Sequence, residues 1–239
     1  MSKLVETSAV ELRRLIGRKA ISPVELLDAC IARIEDLNPH VNAVTATAFE
    51  RARVEARAAE HAVLAGEPLG LLHGLPLGVK ALEPTAGLLT TWGSPIYRAH
   101  VPTEDIVLVA RLREAGAIVA GKTNVPEMGA GGNSRNVVWG ATGNPFDPNL
   151  NAGGSSGGWA AALACDMLRC APAPTPAGRC AFRPPSAAWS ASAPRQAWCR
   201  ACASCWAGRP SRWSAPWAAA WKTPACRWPP PPACMRATR

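Results

Sequence analysis

Two serines set between paired glycines, Gly153-Gly154-Ser155-Ser156-Gly157-Gly158, and a lysine closing an apolar run, Gly74-Leu75-Pro76-Leu77-Gly78-Val79-Lys80, are the residues of this chain best suited to chemistry. Flanking glycines let the backbone adopt conformations that a Cβ forbids, so the hydroxyls can be pressed against other backbone and against a substrate. A flexible Gly/Ser linker would run on in low complexity. Here Asn144-Pro145-Phe146-Asp147-Pro148 stands in front and a helix-like apolar run, Trp159 to Asp166, follows. Most lysines lie at the surface. At the end of a buried strand, desolvation favours the uncharged amine, which makes Lys80 a candidate base.

A third motif is excluded. Gly116 to Thr123 fits the phosphate-loop spacing G-x4-G-K-T, but a phosphate loop needs a strand before it, a glycine-rich loop within it and a helix after it. In this chain a helical pattern precedes, the intervening residues are themselves an apolar strand, and Asn124-Val125-Pro126 follows.

The elements that must position these residues follow from caps and periodicity. Ser8 caps a first helix through about Leu15, and Ser22-Pro23-Val24-Glu25 is a capping box opening a helix to about Leu37 with Leu26, Leu27, Cys30, Ile31 and Ile34 on one face. A strand over Val41 to Val44 and a helix over about Thr47 to Leu64 come next, the latter with a charged, solvated face. Gly74 to Lys80 is a strand and Thr90-Thr91-Trp92-Gly93-Ser94 a loop. Thr103-Glu104-Asp105 starts a helix through Glu114, and Gly129 to Asn136 is a long polar loop, suited either to walling a cleft or to plain surface. Alternating strands and helices up to Asp166 predict an α/β layered domain.

Composition splits the chain in two. All 17 acidic residues lie at or before Asp166, whereas the segment after Leu168 is rich in Arg, Trp, Cys and Pro. The net charge of +9 therefore describes that segment and not the body, and is no argument for a nucleic-acid-binding body. Cys30 and Cys165 are the body's two thiols, which suits a reducing compartment, and the start Met1 to Glu6 has no apolar core of signal-peptide length. With no run approaching a membrane span, the body reads as cytoplasmic, with no membrane partner.

Gly74 to Lys80, Thr90-Thr91-x-Gly93-Ser94, Gly121-Lys122-Thr123-Asn124, Asn144-Pro145 and Gly153 to Gly158 resemble, in order, the motifs of the amidase signature family, over about residues 5 to 168. The resemblance implies an α/β/α domain with a mixed sheet and hydrolysis of a small-molecule carboxylic amide through a Ser-cis-Ser-Lys triad, with no cofactor and no metal. It allows a homodimer for the full-length member. Carried over by motif, Lys80 is the lysine and Ser155 the bridging serine, with a cis peptide between Gly154 and Ser155 and with Ser156 as a supporting hydrogen-bond partner. One departure is Ala81, where the family commonly has aspartate.

The family's nucleophile, in G-S-D-T-G-G-S, falls twenty-four residues after the bridging serine, where this chain has Arg179. Reading the codons of Arg169 to Ser186 one nucleotide upstream allows V-C-T-G-S-D-T-G-G-S-L-R-I-P-A-A-F, with its serine on position 179. One nucleotide missing near codon 169 is thus the expected cause of the change, dividing the chain into a partial amidase-signature domain, 1–168, and an out-of-frame, non-native or disordered tail, 169–239. A chain so altered is expected to be inactive, with edge strands and apolar faces left uncovered. The spacing Cys199-x-x-Cys202-x-x-Cys205 then loses its metal-site meaning. Two alternatives stand beside this reading: the amidase subunit of a tRNA-dependent amidotransferase, and a non-enzymatic product whose basic tail binds nucleic acid non-specifically.

Overall fold

The computed structural model describes residues 3–169. Arg179, the cysteines at 199, 202 and 205, and the expected boundary's tail beyond Arg169 lie outside the described residues.

After a short 3-10 turn at Lys3–Glu6, helix α1 spans Ala9–Gly17, α2 Pro23–Val41, strand β1 Val44–Thr47 and α3 Phe49–Ala65. Strand β2 spans Pro76–Lys80, α4 Val107–Glu114 and β3 Ile118–Thr123. Four short strands follow, β4 Arg135–Asn136, β5 Gly140–Ala141, β6 Gly143–Asn144 and β7 Asp147–Asn151, and then helix α5, Gly157–Ala164. The main sheet runs β1-β3-β2, with β1 antiparallel and β2 parallel to β3, so it is mixed. Every residue of β2 and β3 is buried, as expected of strands covered on both faces. Among the described residues no helix is long and apolar enough to cross a membrane.

The two faces of the sheet meet different helices. Ile118 and Ala120 join an apolar group with Leu27, Ile31 and Ala161, whereas Val119, Leu77 and Val79 join one with Leu12, Ile16 and Val109. The pairing of β2 with β3 carries one irregularity. Leu77 is opposite Val119, but Gly78 is opposite Gly121, so Ala120 is an extra residue in β3. Beyond it Val79 pairs with Lys122 and Lys80 with Thr123. Partners in register share a face, which sends Lys80 to the α5 side and Lys122 to the other.

Most boundaries move by a few residues for identifiable reasons. Ser8 accepts from Glu11 N–H at 3.3 Å, as expected of an N-cap. Ser22 caps α2, but through Val24 N–H at 3.0 Å, and its hydroxyl donates to the Glu60 carboxylate. Replacing Ser22 with alanine removes both contacts and is expected to cost about 1 kcal/mol, read as a lowered urea midpoint with an unchanged slope. Helix α2 runs past Pro39 to Val41, four residues beyond the expected end, before Asn42 turns left-handed at φ 49. The Asn38 side chain fixes this exit, accepting from Ala43 and Val44 N–H and donating to the Val44 carbonyl. The longer helix displaces β1 to Val44–Thr47, and Thr47, expected in α3, is strand. Helix α4 starts at Val107 rather than near Thr103, because the Asp105 carboxylate does not cap it. One oxygen accepts from Ala86 N–H at 2.8 Å and the other faces Arg113 at 2.9 Å. The phosphate-loop spacing proves to be strand, since β3 occupies Ile118–Thr123.

Candidate functional site

The sheet delivers Lys80 to the last position of β2, where its side chain is 4% exposed. Helix α5 delivers the serines to the same end. Its first two residues, Gly157 and Gly158, are buried. A Cβ on Gly158 would lie 2.3 Å from the Asn124 nitrogen and 2.6 Å from the Asn124 carbonyl oxygen, so only a residue without a side chain lets α5 press on the end of β3. That close approach brings Ser155 to Lys80: Lys80 Nζ donates to Ser155 Oγ at 2.9 Å. The Gly154–Ser155 peptide is cis. Ser155 itself is half-buried, in reach of both the protein interior and solvent.

Ser134, just before β4, holds the turn from behind through both its backbone and its side chain. Ser134 N–H donates to the Gly153 carbonyl at 2.8 Å, and Ser134 Oγ accepts from Gly157 N–H at 2.8 Å. Gly154 lies so close to Asn133 and Ser134 that a Cβ there would sit 3.0 Å from their backbone atoms. Of the Gly129 to Asn136 stretch, Asn133 and Ser134 abut the serine turn, and Ser134 is a bracing residue that the sequence alone did not single out. A buried amide network fixes the β4–β5 hairpin in turn. Asn136 Nδ2 donates to Asn124 Oδ1 and to the Val125 carbonyl, both at 2.8 Å, and Asn124 Nδ2 donates to Thr142 Oγ1 at 3.0 Å. Nothing in local periodicity signals these partners, which are brought together only by the fold.

Ser156 occupies the N-cap position of α5, where its carbonyl accepts from Ala160 N–H at 3.0 Å. The residue is buried and its hydroxyl does not cap the helix. Neither body cysteine is suited to nucleophilic attack. Burial pushes the Cys30 thiol up to about 11 and the Cys165 thiol up to about 12, so both stay protonated near neutral pH. Among the described residues no group of three or more His, Cys, Asp or Glu side chains is placed to hold a metal ion.

A second lysine is more deeply enclosed than the first. Lys122 is fully buried, and its Nζ donates to Thr85 Oγ1 at 2.6 Å and to the Glu83 carbonyl. Its signal in the sequence was a lysine inside an otherwise apolar strand, masked by the accidental phosphate-loop spacing.

Comparison with known proteins gives the arrangement its relatives. A family model described as Amidase matches residues 25–173. A Glutamyl-tRNA(Gln) amidotransferase subunit from Acidothermus cellulolyticus is 40% identical over 164 residues, covering 69% of this chain and 32% of that protein. A bacterial aryl acylamidase of the amidase signature family superposes with a TM-score of 0.66 at 35% identity, covering 69% of this chain and 34% of that one. The peptide amidase of Stenotrophomonas maltophilia superposes with a TM-score of 0.65 at 31% identity, covering 70% and 35%. The chain thus spans about a third of the length of the curated relatives it matches.

Proposed function

Because this chain belongs to the amidase signature family, we propose that its gene specifies an amidase that hydrolyses a carboxylic amide through a serine nucleophile, Ser155 and Lys80. The observation that carries the reading is the 2.9 Å contact between Lys80 Nζ and Ser155 Oγ beside a cis Gly154–Ser155 peptide. In the proposed reaction an uncharged Lys80 amine takes the Ser155 proton while Ser155 Oγ takes the proton of the nucleophile's hydroxyl. The nucleophile's oxygen bonds to the amide carbon. The C–N bond then breaks as the proton returns through Ser155 to the departing nitrogen, leaving ammonia or an amine and an acyl-enzyme. Water repeats the sequence on the ester and releases the carboxylate. Ser156 and Gly154 support this turn, and no cofactor or metal enters the scheme.

The nucleophile is proposed to be the serine that a restored reading frame places at position 179, in place of Arg179. The family match ends at residue 173, close to the proposed missing nucleotide near codon 169, which supports that placement. The chain as written is accordingly read as inactive. The test is to sequence the coding DNA across codons 160 to 185 and to assay ammonia release from simple aliphatic and aryl amides by both versions of the protein. Hydrolysis by the restored protein and none by the chain as written is the expected result. Hydrolysis by the chain as written, abolished by Lys80→Ala, would overturn the assignment of the nucleophile.

The 40% identity to a glutamyl-tRNA(Gln) amidotransferase component supports a second reading, in which the ammonia released is passed to a partner complex. Stable copurification with partner proteins, together with hydrolysis of glutamine in preference to other amides, would favour it.

A further inference from the structure

Lys122 is the largest side chain that the described core encloses completely, and the proposed reaction makes no use of it. It stands one register position from Lys80, opposite Val79, and points to the other face of the sheet. Its nitrogen has two acceptors among the described residues, Thr85 Oγ1 and the Glu83 carbonyl. An uncharged amine has two N–H groups and an ammonium three. The number of acceptors therefore matches the amine, and a third proton would bring both a buried charge and a donor without an acceptor.

The groups it holds belong to the turn that leaves β2. Glu83 N–H donates to the Lys80 carbonyl at 2.9 Å, and Thr85 Oγ1 donates to the same Glu83 carbonyl that Lys122 engages, at 3.0 Å. The Leu82 carbonyl accepts from Trp92 Nε1 at 2.9 Å, and the Pro84 carbonyl accepts from Ile106 N–H at 3.0 Å. Two ionisable groups hold this segment: Lys122 at Glu83 and Thr85, and the Asp105 carboxylate, which accepts from Ala86 N–H at 2.8 Å.

We propose that Lys122 is a positioning residue that works as an uncharged latch: with two protons on its nitrogen it fastens the Glu83–Thr85 turn and so holds the Lys80 end of β2, and a third proton loosens that hold. The consequence for hydrolysis rests on Lys80 being the base, but the latch itself does not.

The charged groups around the nitrogen agree in sign with this. Burial lowers Lys122 to about 7, opposed by the Glu83 and Asp105 carboxylates and aided by Arg113. Arg113 is held in turn by Glu55 of α3 at 2.5 Å and Asp105 at 2.9 Å. Lys80 points away, to Ser155. With the folded value below the ordinary 10.5, the unfolded chain binds the extra proton between the two, so stability rises with pH across that window and is lowest below about 7.

The test is backbone amide hydrogen exchange at pH 6 and pH 8.5, corrected for intrinsic rates, on the 239-residue chain, or on the frame-restored protein should that chain show no protection at Val44 to Thr47, without substitution and with Lys122→Met. In the native chain, protection of the amides from Ala81 to Leu88 is expected to fall about tenfold or more at the lower pH, while that of Val44 to Thr47 holds. In Lys122→Met the pH dependence is expected to vanish, which separates Lys122 from the histidines. Equal protection of Ala81 to Leu88 at both pH values in the native chain, or the same pH dependence in the variant, would overturn the latch. Should the variant not fold, the comparison within the native chain still decides. No hydrolysis enters the readout, so a failed latch leaves the amidase reading standing, and an absent amidase activity leaves the latch testable.

Discussion

Replacing Lys80 with alanine in the frame-restored protein is expected to lower kcat for amide hydrolysis about a thousandfold or more, with a much smaller change in KM. The side chain is buried at the end of β2 and donates to Ser155 Oγ at 2.9 Å, so in the proposed reaction it is the terminal acceptor of the nucleophile's proton. Ser155→Ala breaks the same relay one step earlier. Residues that act as a unit lose most of their joint effect when either is removed, so the double variant is expected to be little slower than the worse single one. Thermal unfolding of each variant within a few degrees of the parent would show that the loss is chemical. A Lys80→Ala protein retaining about a tenth or more of the parent's kcat would sink the triad.

The second large effect is structural. Gly158→Ala is expected to destabilise the folded protein by about 3 kcal/mol, a drop of about 6 to 12 °C in Tm for a chain of this size. Two effects oppose each other. Alanine in a helix is favoured over glycine by about 1 kcal/mol. Against this, the added Cβ would lie 2.3 Å from the Asn124 nitrogen and 2.8 Å from the Ala43 carbonyl oxygen, both backbone atoms that no rotamer change can move. The clash wins because α5 must slide off the ends of β3 and β1 to relieve it, which also carries Ser155 away from Lys80. A variant as stable as the parent, or more stable, would mean that α5 is not seated by this contact.

Lys80 and the Gly153–Gly158 turn were each legible in the sequence because both signals are local, whereas the choice of Ser155 and its pairing with Lys80 came from the family resemblance. Paired glycines around Ser155 declare a tight turn, and an apolar run ending on Lys80 declares a buried strand with a polar terminus. Helix starts at Ser8 and Ser22 were equally legible, since a cap is a matter of a few neighbouring residues. What stayed hidden depends on distant partners. Thr103-Glu104-Asp105 reads as a helix start, but Asp105 is drawn to Ala86 and Arg113. The expected end of α2 near Leu37 stops short of Pro39, but Asn38 steers the exit and the helix continues to Val41. Ser134 and Asn136 lie in a polar loop without local signal, and Asn124, though part of a family motif, acquires its role like them from contacts across the fold.

The extra residue at Ala120 decides which face of the sheet Lys122 takes. Strict alternation from Ile118 would put Lys122 on the side where Lys80 meets Ser155, and the irregularity in β3 prevents it. Deleting Ala120 would restore an even ladder and leave each amine where it is. Inserting one residue between Gly121 and Lys122 would swap the sides, sending Lys122 toward the serine and Thr123 into the Glu83–Thr85 turn. A single codon at one point in this strand thus decides whether the sheet offers one amine to the serine or two, and insertion and deletion there are not equivalent changes.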